Sequence, residues 1–262
     1  MDVVAIPVLS DNYAYLLIDT SNHVAAAVDP VEADKVYARA KELGVTIVSI
    51  LTTHEHWDHA GGNESLQKLI ADEEQRSVEV YGGKDDNVQA MTKVLVDNDV
   101  VKVGDLSVQV FHTPCHTRGH VLYLCEGSLF TGDTLFIAGC GRFFMGTPAE
   151  MQHALNEVIA KLPTSTKVYC GHEYTLSNLR FAAHVEPQNE AIQKKLAWAA
   201  QQAETKTPTI PSTVEEELAT NPFMRVNEPD VQRFAGGKTD PVEVMGALRS
   251  AKDNFGIGNR KL

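Results

Sequence analysis

Short apolar runs, each stopped by Gly, Pro, Asp or His, fill the first two-thirds of the chain. In order they are VVAIP, YAYLLID, HVAAAVDP, TIVSILTTH, VEVYGG, LSVQVFHTP, HVLYLCEG, SLFTGD and KVYCGH. Continuous or alternating runs of this length, ended by turn formers, predict β-strands. Between them the pattern changes to helical spacing, chiefly over 33–43, 64–74, 85–94 and 148–162. The last has a start signal in TPAE: Thr147 caps, Pro148 opens the first turn and Glu150 closes a capping box. Met151, Leu155, Val158 and Leu162 then recur at helical spacing, which predicts one face laid on a sheet.

Strand signals stop near residue 173. TLSNLRFAAHV, NEAIQKKLAWAAQQAETK, VEEELATN, PDVQRFAG and DPVEVMGALRSAKDNF all read as helices, with TKTPTIPST (205–213) as the break among them. The pattern therefore divides the chain into a strand-rich unit, 1–173, and a helical unit, 174–262. There is no internal repeat and no low-complexity tract.

Composition narrows the class. With 262 residues, 43% of them apolar and 22% charged, the chain suits one large domain or two unequal ones with a proper core. A net charge of −12 argues against general affinity for nucleic acid or anionic membrane, so an anionic substrate would need basic residues gathered locally. Cys115, Cys125, Cys140 and Cys170 form no C-x-x-C pair, which fits reduced thiols in a cytosolic protein. The start MDVVAIPVLSDNY lacks the basic opening of a targeting peptide, and no apolar run is long enough to cross a bilayer. A cytoplasmic protein is expected, although a removed transit peptide would leave no trace. AGGKTD (235–240) ends like a phosphate-binding loop, but Gln232 stands where that motif needs glycine.

The chemistry concentrates in TTHEHWDHAGGN (52–63), directly behind a buried-strand pattern. In an extended segment His54 and His56 point the same way, and Asp58 and His59 must point elsewhere if the chain turns after them. Two diverging ligand pairs suit two metals side by side. Gly61 and Gly62 let the backbone pass close to a crowded site. TPCHTRGH (113–120), TGDTLF (131–136) and CGHEYT (170–175) place further His and Asp residues at other strand ends, as a rigid site requires. Imidazole and carboxylate without thiolate suit Zn, Fe or Mn. His23, His153 and His184 are expected at the surface, and His112 and His120 beside the cluster rather than in it.

THEHWDH, PCHT, GDTLF and GHEYT, in that order, resemble the metallo-β-lactamase superfamily. FIAGCGRFFMGT, GHEYTLSNLRFA and RSAKDNF narrow the resemblance to the glyoxalase II, or hydroxyacylglutathione hydrolase, family over nearly the whole chain. The resemblance implies an α/β fold, an αββα sandwich with a dinuclear site at one edge, followed by a smaller helical substrate-binding domain. It implies two divalent ions, zinc first with iron or manganese as alternatives. His54, His56 and His116 would hold one ion, Asp58, His59 and His172 the other, and Asp133 would bridge them. Asp58 would also orient the attacking hydroxide.

Asp240, Pro241 and Glu243 predict a helix that carries Arg249 and Lys252 on one face. Spacing alone reads that pair as a solvated basic patch. The resemblance instead makes it bind the glutathione carboxylates, with Arg142, Phe144, Tyr174 and Asn178 at other substrate-contacting positions. Arg142 stands where some relatives have Lys, and Phe144 where some have Tyr. Glu55 is expected to point away from the metals.

The expected reaction is hydrolysis of S-D-lactoylglutathione to glutathione and D-lactate, the second step of methylglyoxal detoxification. The only partner expected is this thioester substrate, with neither nucleic acid nor membrane, and the chain is expected to be a monomer. Rival readings are a mononuclear iron dioxygenase acting on glutathione persulfide, whose relatives are shorter at the tail, and a metal-binding protein without turnover. A β-lactamase would call for an export signal, and an RNA-processing nuclease for a basic surface.

Overall fold

The computed structural model describes residues 1–255, so positions 256–262 of the expected helical unit lie outside the described residues. The first sheet contains β1 (Asp2–Val8), β2 (Asn12–Asp19), β3 (Val24–Val28), β4 (Thr46–Leu51), β5 (Glu79–Gly83) and β6 (Lys93–Leu95) in spatial order. β1 to β3 pair antiparallel through short turns, whereas β3 to β6 run parallel. Parallel pairing needs crossovers. These are α1 (Ala33–Leu43) and the pair α2 (Trp57–Ala60) and α3 (Asn63–Glu74). Val36, Leu66 and Ile70 from the crossover helices bury against Leu16, Ala25 and Ala27.

The second sheet is made of β7 (Val100–Val103), β8 (Leu106–His112), β9 (Val121–Cys125), β10 (Ser128–Gly132), β13 (Lys167–Cys170) and β14 (Ser212–Thr213). A two-stranded ribbon, β11 (Leu135–Phe136) and β12 (Gly139–Cys140), interrupts the chain order. Alternate residues on the facing sheets meet in the middle: Leu17, Ala26, Val28 and Leu51 pack with Val108, Val110, Tyr123 and Phe130. The outer face of the second sheet, with Leu122, Leu129 and Val168, is covered by Met151, Leu155, Phe181, Phe223 and Leu248. The layers run helix, sheet, sheet, helix, the expected αββα arrangement.

The C-terminal helices are α5 (Thr175–Val185), α6 (Glu190–Thr205), α7 (Val214–Thr220), α8 (Pro229–Phe234) and α9 (Pro241–Asn254). α5, α7, α8 and α9 share one core with the second sheet, α6 packs on α5, and the segment between α6 and α7 supplies the edge strand β14, which pairs with β13 inside the expected break at 205–213. No described helix is long and apolar enough to cross a membrane.

Two expected elements differ. Residues 85–94 do not form a helix. Asp85 and Ala90 have positive φ, and the segment ends by joining β6 to β5. The Asp86 carboxylate accepts from the backbone of Glu55 and Gly119 and from the Thr117 hydroxyl, and Asn87 N donates to Glu55. These contacts take the place of an i, i+4 ladder. The helix at 148–162 has the expected capping box, with Thr147 and Glu150 bonding each other's backbone N–H. After α4 (Pro148–Gln152), however, it widens into a π turn (His153–Val158) and tightens into a 3-10 turn (Ile159–Lys161). The wide turn rotates the apolar face by one position, so Ile159, not Val158, follows Met151 and Leu155 into the core. Ile159→Ala should therefore lower unfolding stability by about 2–5 kcal/mol, and Val158→Ala by much less, in parallel urea titrations.

Candidate metal centre

Strand ends deliver the seven expected side chains to one edge of the sandwich. β4 runs into buried Thr52, Thr53 and His54, and the chain then turns into the single turn α2, which carries Asp58 and His59. His116 comes from the loop between β8 and β9, Asp133 from the end of β10, and His172 from the end of β13. Three groups of side chains converge: His54, His56 and His116; His54, His59 and Asp133; Asp58, His59 and His172.

Separations within the groups are those of ligands around a small cation. His56 Nδ1 lies 3.1 Å from His54 Nε2 and 3.0 Å from His116 Nε2. His172 Nε2 lies 3.3 Å from both His59 Nε2 and Asp58 Oδ2. Ligands held at about 2.0–2.1 Å in a tetrahedron stand about 3.3 Å apart. Asp133 faces both sets, with Oδ2 3.5 Å from His116 Nε2 and 3.4 Å from His172 Nε2, and Oδ1 3.2 Å from His59 Nε2. That Oδ1 is buried yet accepts no hydrogen bond among the described residues. A buried carboxylate oxygen without a donor is costly, and a cation between the groups would satisfy it.

The far side of the rings fixes which nitrogen faces inward. His59 Nδ1 donates to Asp29 (2.9 Å), His172 Nδ1 to Asp11 (2.9 Å) and His116 Nδ1 to the Arg142 carbonyl (3.0 Å). Thr53 spends its hydroxyl proton on Asp29, so its oxygen accepts from His54 Nδ1 at 3.1 Å. With Nδ1 so engaged, each Nε2 faces the centre, and in the neutral ring it offers the lone pair that metal-ligating histidines need. His120 belongs to none of the three groups. It accepts from Asp133 N at 3.2 Å and touches Thr113 and Thr134 with its other nitrogen, so it anchors Asp133 from behind. His112 bonds the Arg118 carbonyl, and His23, His153 and His184 are exposed. Glu55 accepts from Asn87 N and points away from the centre.

Electrostatics divide the two sets. Burial, reinforced by neighbouring imidazoles, holds His54 and His116 below the ordinary histidine range, so they stay neutral. Burial also opposes charge on His172, but hydrogen bonds to Asp133 and Asp58 outweigh it and raise the imidazolium to about 10. His59 is raised too, by the nearby charge of Asp133 and by its pairing with Asp29, against its burial. The second set thus lies in concentrated negative charge and strongly favours a cation.

Beside it opens a cleft of about 720 Å³ that brings together Arg142, Tyr174, Asn178, Arg249 and Lys252. The Tyr174 ring stacks on His172 at 4.6 Å between centroids, which joins cleft to centre. Arg249 is not a solvated surface cation. It is 8% exposed, donating to the Cys140 carbonyl (2.9 Å) and Asp253 (2.8 Å). Lys252 Nζ donates to the Ser177 carbonyl, and Asn178 is buried with its amide on the Ile137 carbonyl. Phe144 lies outside this cleft, edge-on to His56 and packed against His116 at 5.2 Å. Another cleft, of about 470 Å³ beneath the β1–β2 turn, reaches Asp11 and Asn12 but none of the seven converging side chains.

The tail of the chain, residues 173–255, matches the family model described as hydroxyacylglutathione hydrolase C-terminus, and residues 8–172 match that of the metallo-beta-lactamase superfamily. A protein of Arabidopsis thaliana named hydroxyacylglutathione hydrolase cytoplasmic is 49% identical, covering 97% of this chain and 99% of its own. The chain belongs to the hydroxyacylglutathione hydrolase family. A Dictyostelium discoideum hydroxyacylglutathione hydrolase is 43% identical over 97% of this chain and 100% of its own. Among solved structures, ETHE1 from Myxococcus xanthus is similar in fold, with a TM-score of 0.69 at 24% identity over 98% of this chain and 92% of that one. Membership of this family and the converging His and Asp groups together mark a divalent metal site.

Sequence reading missed the residues behind the ligands. Asp29 ends HVAAAVDP with the same signal that marked Asp133, an acid after an apolar run. Asp11 and Asp86 stand in turns and carry no such signal. The centre's crowding gives a direct test at Gly171, where a Cβ would meet Asp133 Oδ1 and the His59 ring. Gly171→Ala should at least halve the metal retained after dialysis, measured by elemental analysis, with the far-ultraviolet circular dichroism unchanged.

Proposed function

We propose that this chain hydrolyses S-D-lactoylglutathione, and related 2-hydroxyacylglutathione thioesters, to glutathione and D-lactate. The observation that carries this is the junction of a metal-competent centre with a cationic cleft, made by Tyr174 stacked on His172. Full-length similarity to enzymes named hydroxyacylglutathione hydrolase supports the same reading. His54, His56 and His116 would hold one divalent ion and Asp58, His59 and His172 a second, with Asp133 between them. Zinc is the first choice, and iron or manganese suits the same donors. Bound there, such ions supply Lewis acidity that lowers the pKa of water from 15.7 toward about 7 and stabilises charge developing on a carbonyl oxygen.

The chain's own residues do the rest. Asn12 donates to the Asp58 carboxylate (3.0 Å) and holds it toward the centre, where it orients the attacking hydroxide. Arg142 and Lys252 draw the glutathione carboxylates into the cleft, with Arg249 behind them. Tyr174 and Asn178 shape the wall nearest the centre, and Phe144 screens His56 and His116 from bulk water. A thiolate leaves readily, since its conjugate acid has a pKa of about 8.5, so no separate general acid is required. In this reading residues 1–173 carry the chemistry, and the helices after them share the recognition with Arg142. A cytoplasmic location accords with the name of the Arabidopsis relative.

Loss of thioester absorbance, followed beside metal content, tests the assignment. Turnover with two ions per chain is expected. No turnover at that loading refutes the reading, and oxygen uptake with glutathione persulfide would replace it with the dioxygenase. Asp58→Ala should lose one ion per chain and most of kcat, by roughly a hundredfold or more; normal kcat with one ion would overturn the dinuclear mechanism.

Burial, with repulsion from Arg249, lowers the Lys252 ammonium to about 8, with Asp253 and Cys140 acting weakly the other way. Its charge is present below that pH and lost above it. In the free enzyme kcat/KM for the anionic thioester should therefore fall as pH rises from 8 to 9.5, mainly through KM. Lys252→Arg should flatten that limb of the profile.

A further inference from the structure

Among the described residues the cleft holds one acid beside its cations. Asp253 follows Lys252 on α9 and stands, partly exposed, where the cleft meets a shallower groove beside Phe144. Its Oδ1 accepts from Arg249 Nη2 at 2.8 Å and lies 3.5 Å from Arg142 Nε. Among the described residues no hydrogen bond or ion pair falls on Oδ2. Arg249 is also tied by its other terminal nitrogen to the Cys140 carbonyl and is buried, so fixing it does not by itself explain an exposed carboxylate.

A cleft meant only for anions would gain from having no acid in it, because a carboxylate repels them and cancels part of a neighbouring guanidinium's charge. Three cations and one anion instead complement a ligand that carries carboxylates and one ammonium. Glutathione thioesters are of that kind, with two carboxylates and the α-ammonium of the γ-glutamyl end.

We propose that Asp253 is a specificity-determining residue that pairs through Oδ2 with the substrate's α-ammonium, while Lys252 and Arg142 take the carboxylates. The pairing rests on the thioesterase reading above. It predicts discrimination against a thioester whose amine has been made neutral, at a site remote from the reacting carbon, so the effect falls on KM rather than kcat.

The test compares the lactoyl thioesters of glutathione and of N-acetylglutathione with the full-length, metal-loaded protein. The wild-type KM should be about fivefold higher for the acetylated compound, the size expected of a partly exposed charge-assisted hydrogen bond. In Asp253→Asn the two KM values should converge, and in Asp253→Glu the preference should return. Competitive inhibition of the wild type by glutathione and N-acetylglutathione should show the same ratio without any variant. A rise in KM that is equal for both substrates in Asp253→Asn, or a wild-type ratio near one, would leave Asp253 as a mere support for Arg249 and overturn the inference alone. No hydrolysis of either compound by the wild type with its metals would overturn the thioesterase reading, and the inference with it.

Discussion

A buried carboxylate faced by three imidazoles, Asp133 against His59, His116 and His172, is the constraint around which the sandwich edge is arranged. Burial alone would push that carboxyl toward its neutral form, yet His59 and His172 hold it well below the usual carboxylate range. Charges this close are tolerable in a protein interior only when each remaining donor and acceptor is met. Apart from Asp133 Oδ1, which is left open toward a cation, the surroundings meet that demand by contact with backbone as much as with side chains. Gly132, at φ 44°, lets the chain turn immediately before Asp133 in a conformation that branched residues resist, and a Cβ there would strike Thr53 and His120. His120 then takes the Asp133 N–H, so that residue is fixed from both ends.

The same edge is where the two sheets are tied together. Tyr13 N donates to the Gly171 carbonyl (2.9 Å), Val121 N to the Thr53 carbonyl (2.9 Å) and the Tyr123 hydroxyl to the Thr52 carbonyl (2.8 Å). The Tyr15 hydroxyl reaches the Cys170 carbonyl at 2.5 Å. Each bond joins a strand or loop of one sheet to a strand end of the other, one or two residues from a converging side chain. The centre therefore takes shape only when both halves of the sandwich have docked, and its rigidity comes from the fold rather than from the ligands themselves.

This explains why the sequence was so informative about the converging side chains and less so about their support. His54, His56, Asp58 and His59 are adjacent in the chain and end a strand, so alternation and turn formers exposed them. Asp11, Asp29 and Asp86 act on partners 161, 30 and 31 residues away, through hydrogen bonds that leave no local pattern. The failed helix at 85–94 has the same origin: apolar spacing suited a helix, but Asp86 and Asn87 bond to the loops that carry the ligands. Strands of two or three residues, such as β6, β12 and β14, are too short to show a period. The π turn after Gln152 was invisible because a capping box announces where a helix starts, not how it continues.

The cleft shows the limit of reading charge from spacing. Arg249 and Lys252 at i, i+3 looked like a solvated pair, yet the first is buried and the second leans on aromatic rings, with Nζ 5.4 Å from the centre of Phe181. What places Arg249 is a polar clamp behind the β11–β12 ribbon. Buried Glu217 accepts from Ala138 N (2.7 Å) and Asn221 Nδ2 (3.0 Å), and Asn221 in turn donates to the Gly139 carbonyl (3.0 Å). That clamp on α7 and the turn after it holds the β11–β12 ribbon, whose Cys140 carbonyl receives Arg249. Residues far apart in the chain thus fix a guanidinium whose own neighbours in sequence say little about it. Arg249 and Lys252 thus belong to the packing of the helical part as much as to the cleft, so a change that loosens those helices should disturb both.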